Sequence, residues 1–379
     1  SAHPDDYFLT TALARQQRSP ISKHKPATEN MYGYHFDAAL MGEFLKGKAT
    51  QRGVMLIQDT ITEVDINRHG DISHVQTENH GKIKADLFVD CSGFKGLLIR
   101  QAMGEELKST KAYMFNDSAI AIPTPIKNPG EIMSETISRA MKYGWVWHIP
   151  LSNRMGNGYV YSSDYISKED VETEFREYLG KDAEGAKALH LRWSPGRLEN
   201  HWNNNCVAIG LSQGFQEPLE ALMINVIQGS IEGFTTCFER GEFTDRYRGA
   251  FNRHANRFID GILDYLQLHY KLNSRDDTAY WRDNRDNPNM SAQLARVLNS
   301  WDRNESIDRV LSENIKNEVY SPLSWHCMLA GMGRFPEPGK GPLRLPARHQ
   351  RRARDSSEEQ AKNYYPHAEY LKKLYAGAR

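Results

Sequence analysis

Three short runs near the front of the chain, residues 54–66, 72–77 and 82–89, alternate apolar with polar positions. A period of two is the mark of half-buried strands. Breaks at Arg68-His69-Gly70 and Asn79-His80-Gly81 supply turns, so a meander of short strands is predicted. Just upstream, Ala38, Leu40, Met41, Phe44 and Leu45 recur near helical spacing and predict an amphipathic helix over 31–48. Residues 118–163 read as strands of a larger sheet, interrupted by one helix near 131–142. Residues 168–179 read as a charged helix opened by Ser167 and Asp170. A buried strand at 206–209 leads into a mostly apolar helix over 219–238. Helical periodicity continues to 272 and, between polar loops, beyond 277. The Pro-, Gly- and Arg-rich stretch 336–354 reads as a connector whose Arg348, Arg351, Arg352 and Arg354 form a solvated basic face. Residues 358–374 read as a terminal amphipathic helix. The fold class predicted is α/β, with a sheet region over 1–245 and a helical region over 246–379.

The 379 residues suffice for one large domain or two. Lys plus Arg and Asp plus Glu number 48 each, so the formal charge is zero. That balance gives no reason to expect nucleic acid or an anionic membrane as partner. The apolar runs are too short to span a bilayer, and no secretory leader is recognised. Cys91, Cys206, Cys237 and Cys327 lie far apart without metal-ligand spacing. They read as reduced thiols of a cytoplasmic protein with no metal site.

Two segments carry candidate chemistry. Gly144-Trp145-Val146-Trp147-His148-Ile149-Pro150 sets Trp145 and Trp147 on one face of a strand, and Pro150 ends the run. Taken alone, this is also how a core or edge strand uses aromatics as filler. The other segment is Glu217-Pro218-Leu219-Glu220-Ala221-Leu222-Met223-Ile224. Pro218 suits the first turn of a helix, which puts Glu220 in that turn and leaves the N–H groups of Leu222 and Met223 free. Free amides at the positive end of a helix dipole make an anion site. Taken alone, Glu220 reads first as a carboxylate that stabilises the dipole, and Glu217 as a residue that orients the loop.

The run from Ala85 to Gly96, with Asp90-Cys91-Ser92-Gly93 at its strand-to-turn junction, and the run from Asn205 to Glu220 flank the paired tryptophans. In this order and spacing the chain resembles the flavin-dependent halogenases of the tryptophan-halogenase type. His35-Phe36-Asp37, Asn116-Asp117-Ser118 and Gly158-Tyr159-Val160-Tyr161-Ser162-Ser163 are similar to that family as well. The resemblance implies a flavin-monooxygenase-like FAD-binding sheet region and a C-terminal helical region that covers the substrate. The sheet region is incomplete at its N-terminus, since neither a Gly-x-Gly-x-x-Gly turn nor the family's catalytic lysine segment is found. The implied cofactors are FAD, used as FADH2 from a separate flavin reductase, and a halide ion (chloride, bromide or iodide). By the same match the backbone amides of Leu222 and Met223 would bind halide, and the backbones of Ile61, Leu211 and Ile224 would touch the flavin. Glu220 would be the catalytic carboxylate. Trp145, Trp147, Ile149 and Pro150 would form the barrier between flavin and substrate.

Two departures from the family pattern shape the expectation. Ala221-Leu222-Met223 stands where the family has Ser-Thr-Gly. A hydroxyl beside Glu220 is lost, the backbone amides remain, and the bulkier pocket favours bromide or iodide. Asp308 and Arg309 stand where tryptophan-specific members carry a Tyr-Tyr pair, and Tyr320 where they carry a Trp. The expected substrate is therefore an electron-rich aromatic (phenol, indole derivative or peptide-bound ring) other than free tryptophan. The expected reaction halogenates that ring with hypohalous acid made from FADH2, dioxygen and halide. A flavin-dependent aromatic monooxygenase and a non-catalytic remnant that binds an aromatic ligand are the alternatives. The sequence is compatible with a homo-oligomer.

Overall fold

The structure, a computed structural model, describes residues 3–24, 32–128, 132–313, 320–336 and 347–377. The chain forms two compact units, each discontinuous in sequence: residues 1–53, 119–191 and 326–379, and residues 54–118 and 192–325. The expected division into a flavin- and halide-binding sheet region over 1–245 and a helical substrate region over 246–379 stays a proposal.

The first unit is built on a five-stranded sheet: β1 (Ser118–Ala121), β2 (Ile137–Ala140), β3 (Gly144–Pro150), β4 (Met155–Tyr161) and β5 (Leu189–Arg192), in the order β5-β1-β4-β3-β2. β3 and β4 form an antiparallel hairpin running from Pro150 opposite Met155 to Gly144 opposite Tyr161. Alternation decides what is buried. Val146, Tyr159, Tyr161, Ile120 and Ile122 share one face and pack beneath helix α1 (Lys168–Leu179) through Val171 and Phe175. Ser167 caps α1 by accepting from the Asp170 N–H at 3.1 Å, as its sequence predicts.

Three local expectations differ from the structure. The helix expected near 131–142 is instead β2, whose residues 137–140 pair with 145–148 of β3. The open backbone edge of β3 requires partners, and that demand outweighs local helix propensity. The connector expected up to residue 354 ends earlier within the described residues, because Ala347–Ala361 is a helix that carries Arg354, paired with Glu358 at 3.0 Å. The single terminal helix is broken by a short strand, Tyr364–Pro366, which pairs with Arg18–Ser22 before helix His367–Gly377 begins. The early helix runs over Ala38–Gln51 and buries none of its residues; Asp37 caps it through the Ala39 and Leu40 amides.

In the second unit the predicted meander forms as Ile61–Ile66, Ile72–Thr77 and Gly81–Ile83. Strand Phe88–Asp90 pairs in parallel with Cys206–Ala208, and a core of Ile72, Phe88, Leu98, Ile99, Leu198 and Cys206 lies behind them. The buried Asp90 carboxylate accepts from the Ser92, Leu98 and Ile99 amides, all at 2.9 Å, and so fixes the turn after its strand. Among its described residues from 223 onward this unit is mainly helical, led by α2 (Met223–Arg240) and α3 (Arg248–Lys271). Trp202, Phe234 and Phe251 pack edge to face between these two helices and the preceding strands.

Candidate functional site

The turn that enters α2 departs from its sequence reading. Pro218 does not open the helix; a 3-10 turn spans Leu219–Ala221, and α2 begins at Met223 with Leu222 as its N-cap. The break comes from two consecutive left-handed residues, Glu220 at φ 67° and Ala221 at φ 52°. Neither is glycine, and each such residue costs about 1–2 kcal/mol, so the surroundings must hold the turn in place. The preceding residues supply that hold. Glu217 is 5% exposed and accepts from the Tyr270 hydroxyl at 2.7 Å and from Asn116 Nδ2 at 2.8 Å. Asn116 Oδ1 accepts in turn from the Tyr280 hydroxyl at 2.9 Å. Burial, and after it the charge of Glu217, pushes the Tyr270 phenol well above its ordinary value, so it stays a donor. Trp193 Nε1 donates to the Gln216 carbonyl at 2.7 Å and pins the residue before. Glu217 thus anchors the loop.

No side chain caps α2. The amides of Leu222 and Met223 stand at its N-cap and first helical positions, among the four that a helix leaves without an internal acceptor. The strained turn, rather than Pro218, aims them. Glu220 is 36% exposed at its side chain and accepts from His269 Nε2 at 3.0 Å. His269 lies on α3, and its Nδ1 meets the Tyr265 carbonyl at 3.0 Å. A carbonyl only accepts, so Nδ1 carries a proton. A hydrogen bond between Nε2 and the carboxylate then needs a second proton shared across the pair. Both ring nitrogens of His269 thus face oxygen acceptors, and the proton on the Nε2 side is the one it shares with Glu220.

An aromatic cluster continues from His269. Its ring meets Tyr265 edge-on at 5.3 Å, Tyr265 stacks on Tyr320 at 3.6 Å, and Trp325 stands edge-on to Tyr265 at 5.1 Å. The Tyr320 hydroxyl and Trp325 Nε1 are buried and make no hydrogen bond among the described residues. Burial, followed by the Glu220 carboxylate, raises the Tyr320 phenol above its ordinary value. His269 went unread in the sequence; its only trace was a titratable residue inside the apolar stripe of a long helix.

Leu211 lies in the turn Gly210–Ser212, at the carboxyl end of the parallel strand pair, where open α/β sheets bind ligands. It lines a cavity of about 320 Å³ with Phe94, Leu107, Trp193 and Phe215. Its walls combine the rings of Phe94, Trp193 and Phe215 with the polar side chains of Arg100, Arg192 and Ser194. Gly214 has no room for a Cβ, which would lie 2.4 Å from the Gly196 carbonyl oxygen. That shape fits the ring system of a flavin. The Leu211 turn leads to Gln213, which accepts from Ser230 Oγ of α2 at 3.1 Å. Ile224 is 50% exposed in the first turn of α2. Ile61 begins the meander, packs against the core there and does not line this cavity. Neither does Glu220.

In the first unit Trp145 and Trp147 share a strand face, with ring centroids 6.0 Å apart and planes at 57°. The Trp147 ring lies over Gly158 of β4, where a Cβ would come within 1.9 Å of it. Trp145 Nε1 is buried and makes no hydrogen bond among the described residues. Ile149 continues this face by alternation, whereas Pro150 and His148 turn to the other side of the sheet and line a cavity there. Among the described residues no cluster of three or more His, Cys, Asp or Glu is placed to hold a metal, and no helix is long and apolar enough to cross a membrane.

The tryptophan halogenase family model matches residues 2–344. The chain belongs to the tryptophan halogenase family. It is 40% identical to tryptophan 6-halogenase SttH of Streptomyces toxytricini over 316 residues, covering 83% of this chain and 60% of that protein. It is 32% identical to tryptophan 7-halogenase RebH of Lentzea aerocolonigenes over 351 residues, covering 89% of this chain and 66% of that protein. The chain thus spans about six-tenths of the curated relatives it matches. Among solved structures, Tar14, a tryptophan C-6 flavin-dependent chlorinase from taromycin biosynthesis, superposes with a TM-score of 0.87 at 34% identity, covering 97% of this chain and 76% of that one. BrvH, a flavin-dependent halogenase from Brevundimonas sp. BAL3, gives a TM-score of 0.86 at 30% identity, covering 99% and 76%. This family member therefore shares the fold of flavin-dependent halogenases.

Proposed function

We propose that this protein halogenates an electron-rich aromatic ring by flavin-dependent chemistry. The observation that carries the reading is the uncapped start of α2, reached through two strained residues and set beside a carboxylate that His269 braces, in a chain of the tryptophan halogenase family. FAD, delivered as FADH2 by a separate flavin reductase, supplies the oxidising chemistry that converts dioxygen and halide into hypohalous acid. Leu211, with Phe94, Trp193 and Phe215, would hold the flavin ring, and the backbones of Ile61 and Ile224 are further candidates for contact with it. The amides of Leu222 and Met223 hold the halide. Glu220 takes the proton from the ring carbon that has gained the halogen, and it works best as an anion whose other oxygen His269 occupies. Trp145, Trp147 and Ile149 serve as the wall that keeps the organic substrate from the flavin; Pro150 closes the strand instead.

The matched relatives are named tryptophan 6- and 7-halogenases. Here Tyr320 already fills a stacking position on Tyr265, and the buried Tyr320 and Trp325 donors call for an acceptor. The proposed substrate is a phenol, indole derivative or peptide-bound ring that carries an acceptor group. The proposed halide preference is bromide or iodide, because Leu222 and Met223 add polarisable bulk. Competition among equal concentrations of chloride, bromide and iodide tests it; clear chloride preference refutes it. Replacing Glu220 with Gln should lower halogenation about a hundredfold or more while flavin binding persists. A hydroxylated ring as the main product, formed undiminished in E220Q and in W145A/W147A, would favour an aromatic monooxygenase. Failure to retain FAD would favour the remnant. The setting proposed is cytoplasmic.

A further inference from the structure

Behind the sheet face that carries the paired tryptophans, the first unit holds a second cavity. Its volume is about 500 Å³, within the range of small-molecule sites, and Ile126, Met155, Tyr178, Leu179, His148 and Arg139 form its wall. Its polar side is ordered from the inside outward. Asn157 is 3% exposed, and its Nδ2 donates to the Ile122 carbonyl at 3.1 Å and to Thr124 Oγ1 at 2.9 Å. That fixes its Oδ1 as an acceptor facing His148 Nδ1 at 2.6 Å, so Nδ1 carries the imidazole proton. His148 Nε2 then accepts from the Tyr178 hydroxyl at 3.0 Å, with the two rings stacked at 5.6 Å. The Tyr178 oxygen has spent its proton inward and presents lone pairs to Arg139, whose NH1 lies 3.4 Å away.

The Arg139 guanidinium sits over the Tyr178 ring, 5.8 Å from its centroid, and makes no ion pair among the described residues. The other lining cation, Lys127, is neutralised by Asp182 at 2.7 Å. The wall therefore carries one uncompensated positive charge, set over an aromatic ring beside apolar side chains. A weakly hydrated, planar guanidinium in that setting matches a carboxylate bidentately.

We propose that this cavity is a second, non-catalytic binding site for a small organic carboxylate with an aromatic or apolar body. Arg139 takes the carboxylate, and Ile126, Met155 and Leu179 take the body. The site is independent of the chemistry proposed at α2.

Fluorine NMR titration of the full chain with para-fluorophenylacetate tests it, with para-fluorophenylacetamide as the uncharged comparison. The expected result is saturable binding that weakens about tenfold or more in R139Q. The amide should bind correspondingly weakly, and E220Q should bind as the unmodified chain does. Arg139 is exposed, so R139Q should fold, and circular dichroism verifies this. Absence of binding at millimolar concentration overturns the proposal. So does binding that R139Q leaves intact or that E220Q abolishes, the latter locating the probe at the α2 site instead. I126W, which fills the cavity and leaves the charge, should also block binding; undiminished binding in I126W refutes the cavity assignment.

Discussion

Replacing His269 with Ala tests the shared proton most searchingly. The substitution removes a hydrogen bond to a carboxylate, made at 3.0 Å. Such bonds contribute about 1.5–3 kcal/mol when one partner is charged. Glu220 is 36% exposed and His269 19% exposed at their side chains, so water screens the pair and the lower figure applies. About 1.5 kcal/mol of lost positioning corresponds to roughly a tenfold fall in kcat. The assay is steady-state halogenation of an electron-rich aromatic with FADH2 supplied enzymatically. KM for the aromatic should change little, because His269 is argued to act through Glu220. H269Q retains an N–H donor of similar reach and should recover part of the loss. A thermal melt run alongside separates positioning from folding. Full kcat in H269A would rule out the positioning role of His269, as would equal impairment of H269Q and H269A while both remain folded.

Other consequences follow from particular residues. Ala221→Gly should relieve a left-handed strain and raise stability by up to about 1 kcal/mol, read by urea unfolding; an unchanged or lower midpoint contradicts the strain. Gly158→Ala would set a Cβ 1.9 Å from the Trp147 ring. It should cost about 2 kcal/mol and shift tryptophan fluorescence; stability equal to the unmodified chain would show that the indole does not lie there. His201 is fully buried, and burial lowers its pKa from 6.5 to about 4. The unfolded chain therefore binds the extra proton first. Stability from this residue is complete above pH 6.5 and is lost as pH falls toward 4, by about 3 kcal/mol in all. H201N should flatten the acid side of the stability profile between those limits, and an unaltered profile would refute the assignment.

Much of the fold was legible because it is local. The meander, α1 with its Ser167 cap, and the Trp145/Trp147 strand each follow from short-range period or capping. What failed was set by long-range demand. Residues 137–140 became a strand because β3 needed an edge partner, and 364–366 because Arg18–Ser22 did. At the candidate site, the residues of one segment were readable: Leu222, Met223 and Glu220 sit together because they are adjacent in sequence. Their geometry was not readable. Pro218 suggested a helix start, but Glu217, Tyr270 and Asn116 hold a left-handed turn that propensity alone would disfavour. His269 was invisible for the same reason, being 49 residues from Glu220 in the chain.

A halide held by the amides of Leu222 and Met223 is the centre of the proposed chemistry. Crystals of the protein grown or soaked in bromide and measured at the bromine absorption edge would locate the ion directly. The expected result is an anomalous peak within hydrogen-bonding distance of both amides, on the Glu220 side of the start of α2. A peak elsewhere, with that helix start free of bromide under conditions where the enzyme brominates, would show that the halide is held by other groups.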